Sequence, residues 1–207
     1  MLDADAFMQQ LAQTRPVFHS EADFQHAFAW QLHKDFPQAQ IRLEYPYKVG
    51  NHWIYLDLWC DLGQQNLAVE LKYKTRALTC EVRNEMFNLK SQSAQPTGRY
   101  NFLRDVARLE NIVSKDNDNR THGLAVILAN DFAYWKDSKR KASDSDLRIH
   151  EGRLLEGTLR WAQDSAPPVK LKGRYTAKWH KYSNLAEGNQ GQMRYLALSI
   201  KTSTSGQ

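Results

Sequence analysis

Two carboxylates and an ammonium, Asp57, Glu70 and Lys72, fall on what the sequence predicts to be the two arms of one β-hairpin, from Trp53 to Thr75. The outgoing arm alternates Ile54, Leu56, Leu58, Cys60 and Leu62 with Trp53, Tyr55, Asp57, Trp59 and Asp61. The return arm alternates Leu67, Val69, Leu71 and Tyr73 with Ala68, Glu70, Lys72 and Lys74, a period of two on both arms. With the turn at Gly63 and Gln64, Leu56 faces Leu71, Leu58 faces Val69 and Cys60 faces Leu67. The same register sets Asp57 opposite Glu70, and Tyr55 opposite Lys72, on the other face. Like charges directly across a ladder destabilise it, and a bound cation removes that cost. Opposed Cβ atoms lie about 5 Å apart and residues two apart on a strand about 6.6 Å, so the three side chains are expected to form a compact triangle. Hard oxygen ligands of this kind suit Mg²⁺, which takes one or two carboxylates and keeps its other positions for water and substrate phosphate. An ordinary charged outer face is the competing reading of the same triplet.

The elements around the hairpin narrow the choice. A helix is predicted from Ser20, a good N-cap, to Pro37, with Phe24, Ala27, Phe28 and Leu32 on its apolar stripe. Residues 39–49 read as a strand that Pro46 makes an edge or irregular one, with Glu44 an additional candidate ligand. Residues 99–114 form the clearest helix, through Phe102, Val106, Leu109, Ile112 and Val113, and GLAVILAN at 123–130 suits a buried strand. Asp105 and Arg108 look like a surface i,i+3 pair worth tenths of a kcal/mol. Between hairpin and helix, Leu78, Val82, Met86 and Leu89 keep a helical spacing, whereas SQSAQPTG at 91–98 reads as loop.

This arrangement, Asp57, twelve residues, then Glu70-Leu71-Lys72 on a hairpin preceded by a helix and followed by a helix and strand, resembles the PD-(D/E)XK nuclease superfamily. The similarity covers Ser20 to about Trp135, and Leu56 stands where the motif's name has Pro. The resemblance implies an α/β (α+β) restriction-endonuclease-like core with a central mixed sheet flanked by helices. It implies that Asp57 and Glu70 bind a divalent metal, Mg²⁺ with Mn²⁺ as a substitute, while Lys72 orients or activates the attacking water. It further suggests Glu21, on the first core helix, as a third ligand and catalytic residue. Read from the helix alone, Glu21 is an acid complementing the helix dipole, and both readings stand.

Composition bounds the rest. The chain has 207 residues, 42% hydrophobic and 25% charged, as expected of a folded protein. It contains no run of the ~18 apolar residues that span a membrane, and MLDADAF is acidic where a signal peptide is basic, so a cytoplasmic, membrane-free setting is expected. Cys60 and Cys80 form no CxxC pair. His19, His26 and His33 are too widely spaced along a helix, at about 10.5 Å per step, to share one metal. GxGxxG, Walker A, GxSxG and HExxH motifs are all missing.

Charge is uneven. Residues 1–135 carry 14 Lys and Arg against 16 Asp and Glu, whereas residues 136–182 carry 12 against 6. The chain is therefore divided into a nuclease-like core, 1–135, and a basic β-rich extension, 136–207, packed on it as an antiparallel β addition. Lys139, Arg140, Lys141, Arg174 and Lys178 are the expected phosphate contacts, and a homodimer through the same surface is the competing use. The tail TSTSGQ is expected to be disordered. The resulting expectation is a metal-dependent nuclease acting on nucleic acid, DNA first. The alternatives are an inactive nuclease-fold protein serving as a nucleic-acid-binding or assembly module, and a domain in which the carboxylate pair is structural.

Overall fold

The computed structural model describes residues 2–162 and 166–201; the tail TSTSGQ lies outside the described residues. Two helices come first. Asp3 caps α1 (Ala4–Thr14) by accepting the Asp5 and Ala6 N–H groups, and Ser20 caps α2 (Glu21–Asp35) through the Asp23 N–H. Strands β1 (Gln40–Val49), β2 (His52–Asp61) and β3 (Asn66–Lys74) follow, then the small hairpin β4 (Leu78–Val82) and β5 (Glu85–Leu89), helix α3 (Gln95–Val113) and β6 (Thr121–Ala129). Past a 3-10 turn at Ser145–Leu147 come β7 (Leu154–Leu159), β8 (Val169–Thr176), β9 (Trp179–Asn184) and β10 (Gln192–Ile200). Among the described residues, no helix is long and apolar enough to cross a membrane.

The protein is mixed α+β. Its main sheet has the order β1-β2-β3-β6-β10-β9, with β3 and β6 parallel and the other neighbours antiparallel. A parallel pair needs a crossover long enough to hold a helix, and α3 lies in that crossover. Strand β6 is apolar from Gly123 to Ala129 because it is covered on both faces there. Leu124, Val126 and Leu128 pack with α1 and α2, while Ala125, Ile127 and Ala129 pack with α3 and the β7–β8 sheet. The extension after residue 135 is thus divided: β9 and β10 complete the main sheet, and β7–β8 form a separate pair against α3. Strand β1, with Pro46, is the sheet edge.

Two expectations are corrected. The segment 78–89 is a hairpin, not a helix. Leu78, Cys80 and Val82 alternate inward with Phe87 and Leu89 around Val17. Its turn is Arg83-Asn84, both at positive φ (54° and 64°), the conformation of a tight two-residue hairpin turn. Helix α3 begins at Gln95, so QPTG is its first turn and not loop. Pro96 there lacks only an N–H that would be unbonded anyway, and Gly98 leaves room for the Tyr134 hydroxyl.

The β7–β8 sheet is fastened to α3 by one buried carboxylate. Glu110, 5% exposed, accepts the Lys172 N–H at 2.8 Å, the Gly173 N–H at 2.7 Å and the Tyr175 hydroxyl at 2.9 Å. Gly173 is required because a Cβ would press on the Tyr175 hydroxyl and on Glu110 Oε1. Glu110→Ala removes the acceptor of three hydrogen bonds and strands two backbone donors, so it should cost about 2–4 kcal/mol in urea unfolding. A cost of less than about 0.5 kcal/mol would contradict this role.

Candidate active site

Asp57 is where β2 parts from β3. The β2–β3 ladder has the expected register, Leu58 with Val69, Trp59 with Ala68 and Cys60 with Leu67, but it stops at Leu58 and Val69. The Leu71 N–H, which a continued ladder would use on β2, donates instead to Asp57 Oδ2 at 2.6 Å. Gln25 of α2 donates to Asp57 Oδ1 at 2.8 Å, so both carboxylate oxygens are held. The β1–β2 pairing is interrupted at the same level, where Glu44, exposed and at φ 48°, faces Asp57. The strands exchange faces there. Leu58 and Cys60 pack with α1 and α2, while Leu56 and Ile54 pack with the α3 cluster. The expected pairing of Leu56 with Leu71 on one face is therefore not formed, because unbroken alternation does not pass through Asp57.

Glu70 and Lys72 keep the alternation of β3 and face α3. Glu70 is 3% exposed, and Arg108 Nη1 contacts its Oε1 at 2.6 Å. Lys72 Nζ lies 2.9 Å from Asp105 Oδ2, in ion-pair contact without hydrogen-bond alignment, and 3.8 Å from Asp57 Oδ2. Its ammonium also donates to the Leu71 carbonyl at 3.0 Å. Arg108 Nη2 reaches Asp105 Oδ1 at 3.2 Å. Asp105 and Arg108 are thus part of the cluster and not the surface pair that their spacing suggested. Asp105 is 4% exposed, and the signal available was its helical phase: it directly precedes Val106 on the stripe, close enough to share the buried side.

Glu21 is placed nearby, on α2, but with different partners. Its Oε2 accepts the Tyr73 N–H at 2.8 Å and lies 3.7 Å from Lys74 Nζ. The basic residues are elsewhere. Lys139, Arg140 and Lys141 are exposed on the loop after β6, where Arg148 donates to the Arg140 and Ser138 carbonyls. Arg174 pairs with Glu156 on the β7–β8 sheet at 3.0 Å, and Lys178 is exposed between β8 and β9.

Three carboxylates, Asp57, Glu70 and Asp105, meet two cations, Lys72 and Arg108, so one negative charge is in excess when all three are ionised. Burial pushes Asp57 upward, with Lys72 and the Leu71 N–H only partly opposing it. Burial, then the charges of Asp105 and Asp57, push Glu70 up to about 8 despite Arg108. For Lys72, burial favours the neutral amine, but Asp105, Asp57 and Glu21 together hold the ammonium above its usual range. The carboxylates are hard oxygen donors, the type that a divalent cation takes. Among the described residues, however, no three His, Cys, Asp or Glu side chains gather closely enough to hold a metal. The set Asp57, Glu70 and Glu21 is not assembled, since Arg108 holds Glu70 and the β3 backbone holds Glu21.

A carboxyl raised on folding stabilises the fold when protonated. Its contribution is full below the unfolded value near 4.5 and is lost as pH rises through about 8. In urea unfolding without metal, Glu70→Gln should therefore gain on wild type between pH 5 and pH 9, by on the order of a few kcal/mol. A parallel pH dependence of the two proteins would show that Glu70 is ionised throughout.

The chain matches no protein-family model, no curated protein and no solved structure.

Proposed function

We propose that the protein is a divalent-metal-dependent nuclease of the PD-(D/E)XK type, with a restriction-endonuclease-like core, hydrolysing phosphodiester bonds of DNA. The observation that carries this reading is that Lys72 Nζ lies 3.8 Å from the Asp57 carboxylate where β2 leaves β3, with Glu70, two residues before Lys72 on the same face of β3, near enough to feel the charges of both. Asp57 and Glu70 would hold Mg²⁺, or Mn²⁺ in its place. When bound, the metal polarises a phosphoryl oxygen and lowers the pKa of water. Gln25 and the Leu71 N–H fix the Asp57 carboxylate, so its orientation is set before substrate arrives. Lys72, kept charged by its carboxylates, does not act as the base. It orients the attacking water and stabilises the charge that develops on the phosphate. Asp105 holds that ammonium in place at 2.9 Å. Arg108 has Asp105 as a second partner, so it keeps a counterion if Glu70 turns to the metal.

One observation favours a second reading. The Glu70–Arg108 and Lys72–Asp105 pairs nearly balance the cluster without metal, which suits an inactive nuclease-fold module that binds nucleic acid without cutting it. Plasmid, linear duplex, single-stranded DNA and RNA incubated in Mg²⁺ separate the two. The nuclease reading expects cleavage, reduced by on the order of a thousandfold in Asp57→Ala, Glu70→Ala and Lys72→Ala, with double variants no worse than single ones. Wild-type cleavage by Lys72→Ala would overturn the assigned mechanism.

The loop cations act on binding alone in this reading. Replacing Lys139, Arg140 and Lys141 together by Ala should flatten the salt dependence of duplex binding by about 0.9 in log-log slope for each phosphate no longer neutralised. Cleavage at saturating protein should persist. An unchanged slope with an altered sedimenting mass would instead make this surface a dimer interface.

A further inference from the structure

Before Asp57 in the chain, residues 52–56 of β2 do not pair with β3 and run with residues 45–49 of β1 as a two-stranded arm. Facing the arm across an open space are α3 and the chain entering β8. The space between is a cleft of about 530 Å³, with Ile54 of the arm on one side and Arg104, Arg108 and Asn111 of α3 and Pro168 and Lys170 on the other. Three cations line it and, among the described residues, no carboxylate does; Arg108 is already paired with Glu70 and Asp105, so Arg104 and Lys170 supply the uncompensated charge. Arg104 and Lys170 are exposed, and the Arg104 guanidinium lies 5.7 Å from the Tyr100 ring at the same wall. Arg108 belongs to both places, lining the cleft while its Nη1 holds Glu70 at 2.6 Å. The cleft therefore adjoins the carboxylate cluster.

Cationic groups beside apolar and aromatic walls are the features with which proteins hold single strands, where bases are free to leave the stack. The volume is that of a small-ligand site, for which about 300–1,000 Å³ is usual. That is room for one nucleotide, and far less than a double helix occupies. We propose that the cleft between the β1–β2 arm and α3 binds a nucleotide of single-stranded nucleic acid, next to the phosphate presented to Asp57, Glu70 and Lys72. The second half of that statement rests on the nuclease reading, and the first does not. The cleft thereby favours substrates with a free strand, a flap or a frayed end over intact duplex.

The test is fluorescence anisotropy of the whole chain in EDTA, with a short labelled single-stranded DNA and the duplex formed with its complement, over a range of salt. Wild type should bind the single strand about tenfold or more tightly than the duplex. Arg104→Ala with Lys170→Ala should weaken single-strand binding about tenfold and reduce its salt slope by about 1.4, for two phosphates at about 0.7 each. Arg104→Lys with Lys170→Arg should restore the slope, and an unchanged melting temperature would show that the fold is intact. Equal affinity for single strand and duplex, or an unaltered slope in the double Ala variant, would overturn the proposal. A parallel incubation in Mg²⁺ keeps the two readings apart. Binding through the cleft without cleavage would retire the nuclease and leave the cleft. Cleavage with an unaltered slope would retire the cleft and leave the nuclease.

Discussion

Two carboxylates on neighbouring strands of a buried sheet cannot both keep their charge and their regular places in the ladder. Desolvation and mutual repulsion act together against them. Here the ladder is interrupted so that Asp57 takes, with its side chain, the Leu71 N–H that β2 would otherwise accept through its backbone. The irregularity of β1 at Glu44, the exchange of faces between Leu56 and Leu58, and the separation of the β1–β2 arm from β3 are all found at this one level.

Helix α3 then supplies what the hairpin lacks. One turn of it carries Asp105 to Lys72 and Arg108 to Glu70, and the next carries Glu110 to the β7–β8 sheet. The helix is held between the main sheet and that smaller one, so its site residues have a fixed platform. The C-terminal strands contribute indirectly: β10 lies on the far side of β6, burying the parallel β3–β6 pair that presents Glu70 and Lys72. The segment after residue 135 therefore has two duties, completing the core sheet and backing the helix.

Much of this was legible in the sequence. The hairpin register from Leu58 to the turn, the α2 stripe and the buried character of β6 followed from period and length alone, because each depends on covering an apolar face, whereas the expected Asp57–Glu70 and Tyr55–Lys72 pairs lie past the point where the ladder stops. The core of α3 was legible for the same reason, but its first turn was not, since Pro and Gly there serve a helix start and a close packing contact. The β4–β5 hairpin was hidden because four apolar residues happened to fit a helical spacing, and Arg83-Asn84 is not one of the usual Gly-bearing turns. Leu56 was misplaced because periodicity assumes an unbroken strand. Asp105 and Arg108 were undervalued because a local charged pair on a helix gives no sign of the partners that another element brings to it. Gln25, which orients Asp57, was invisible for the same reason.

On the nuclease reading proposed above, the carboxylates of Asp57 and Glu70 are a place for a divalent cation. Anomalous diffraction from crystals equilibrated with Mn²⁺ tests it most directly. A manganese peak is expected on the Asp57 and Glu70 carboxylates, with Arg108 released from Glu70 and retained by Asp105. Crystals in Mn²⁺ that keep the Glu70–Arg108 pair intact, with no manganese at these carboxylates, would contradict it.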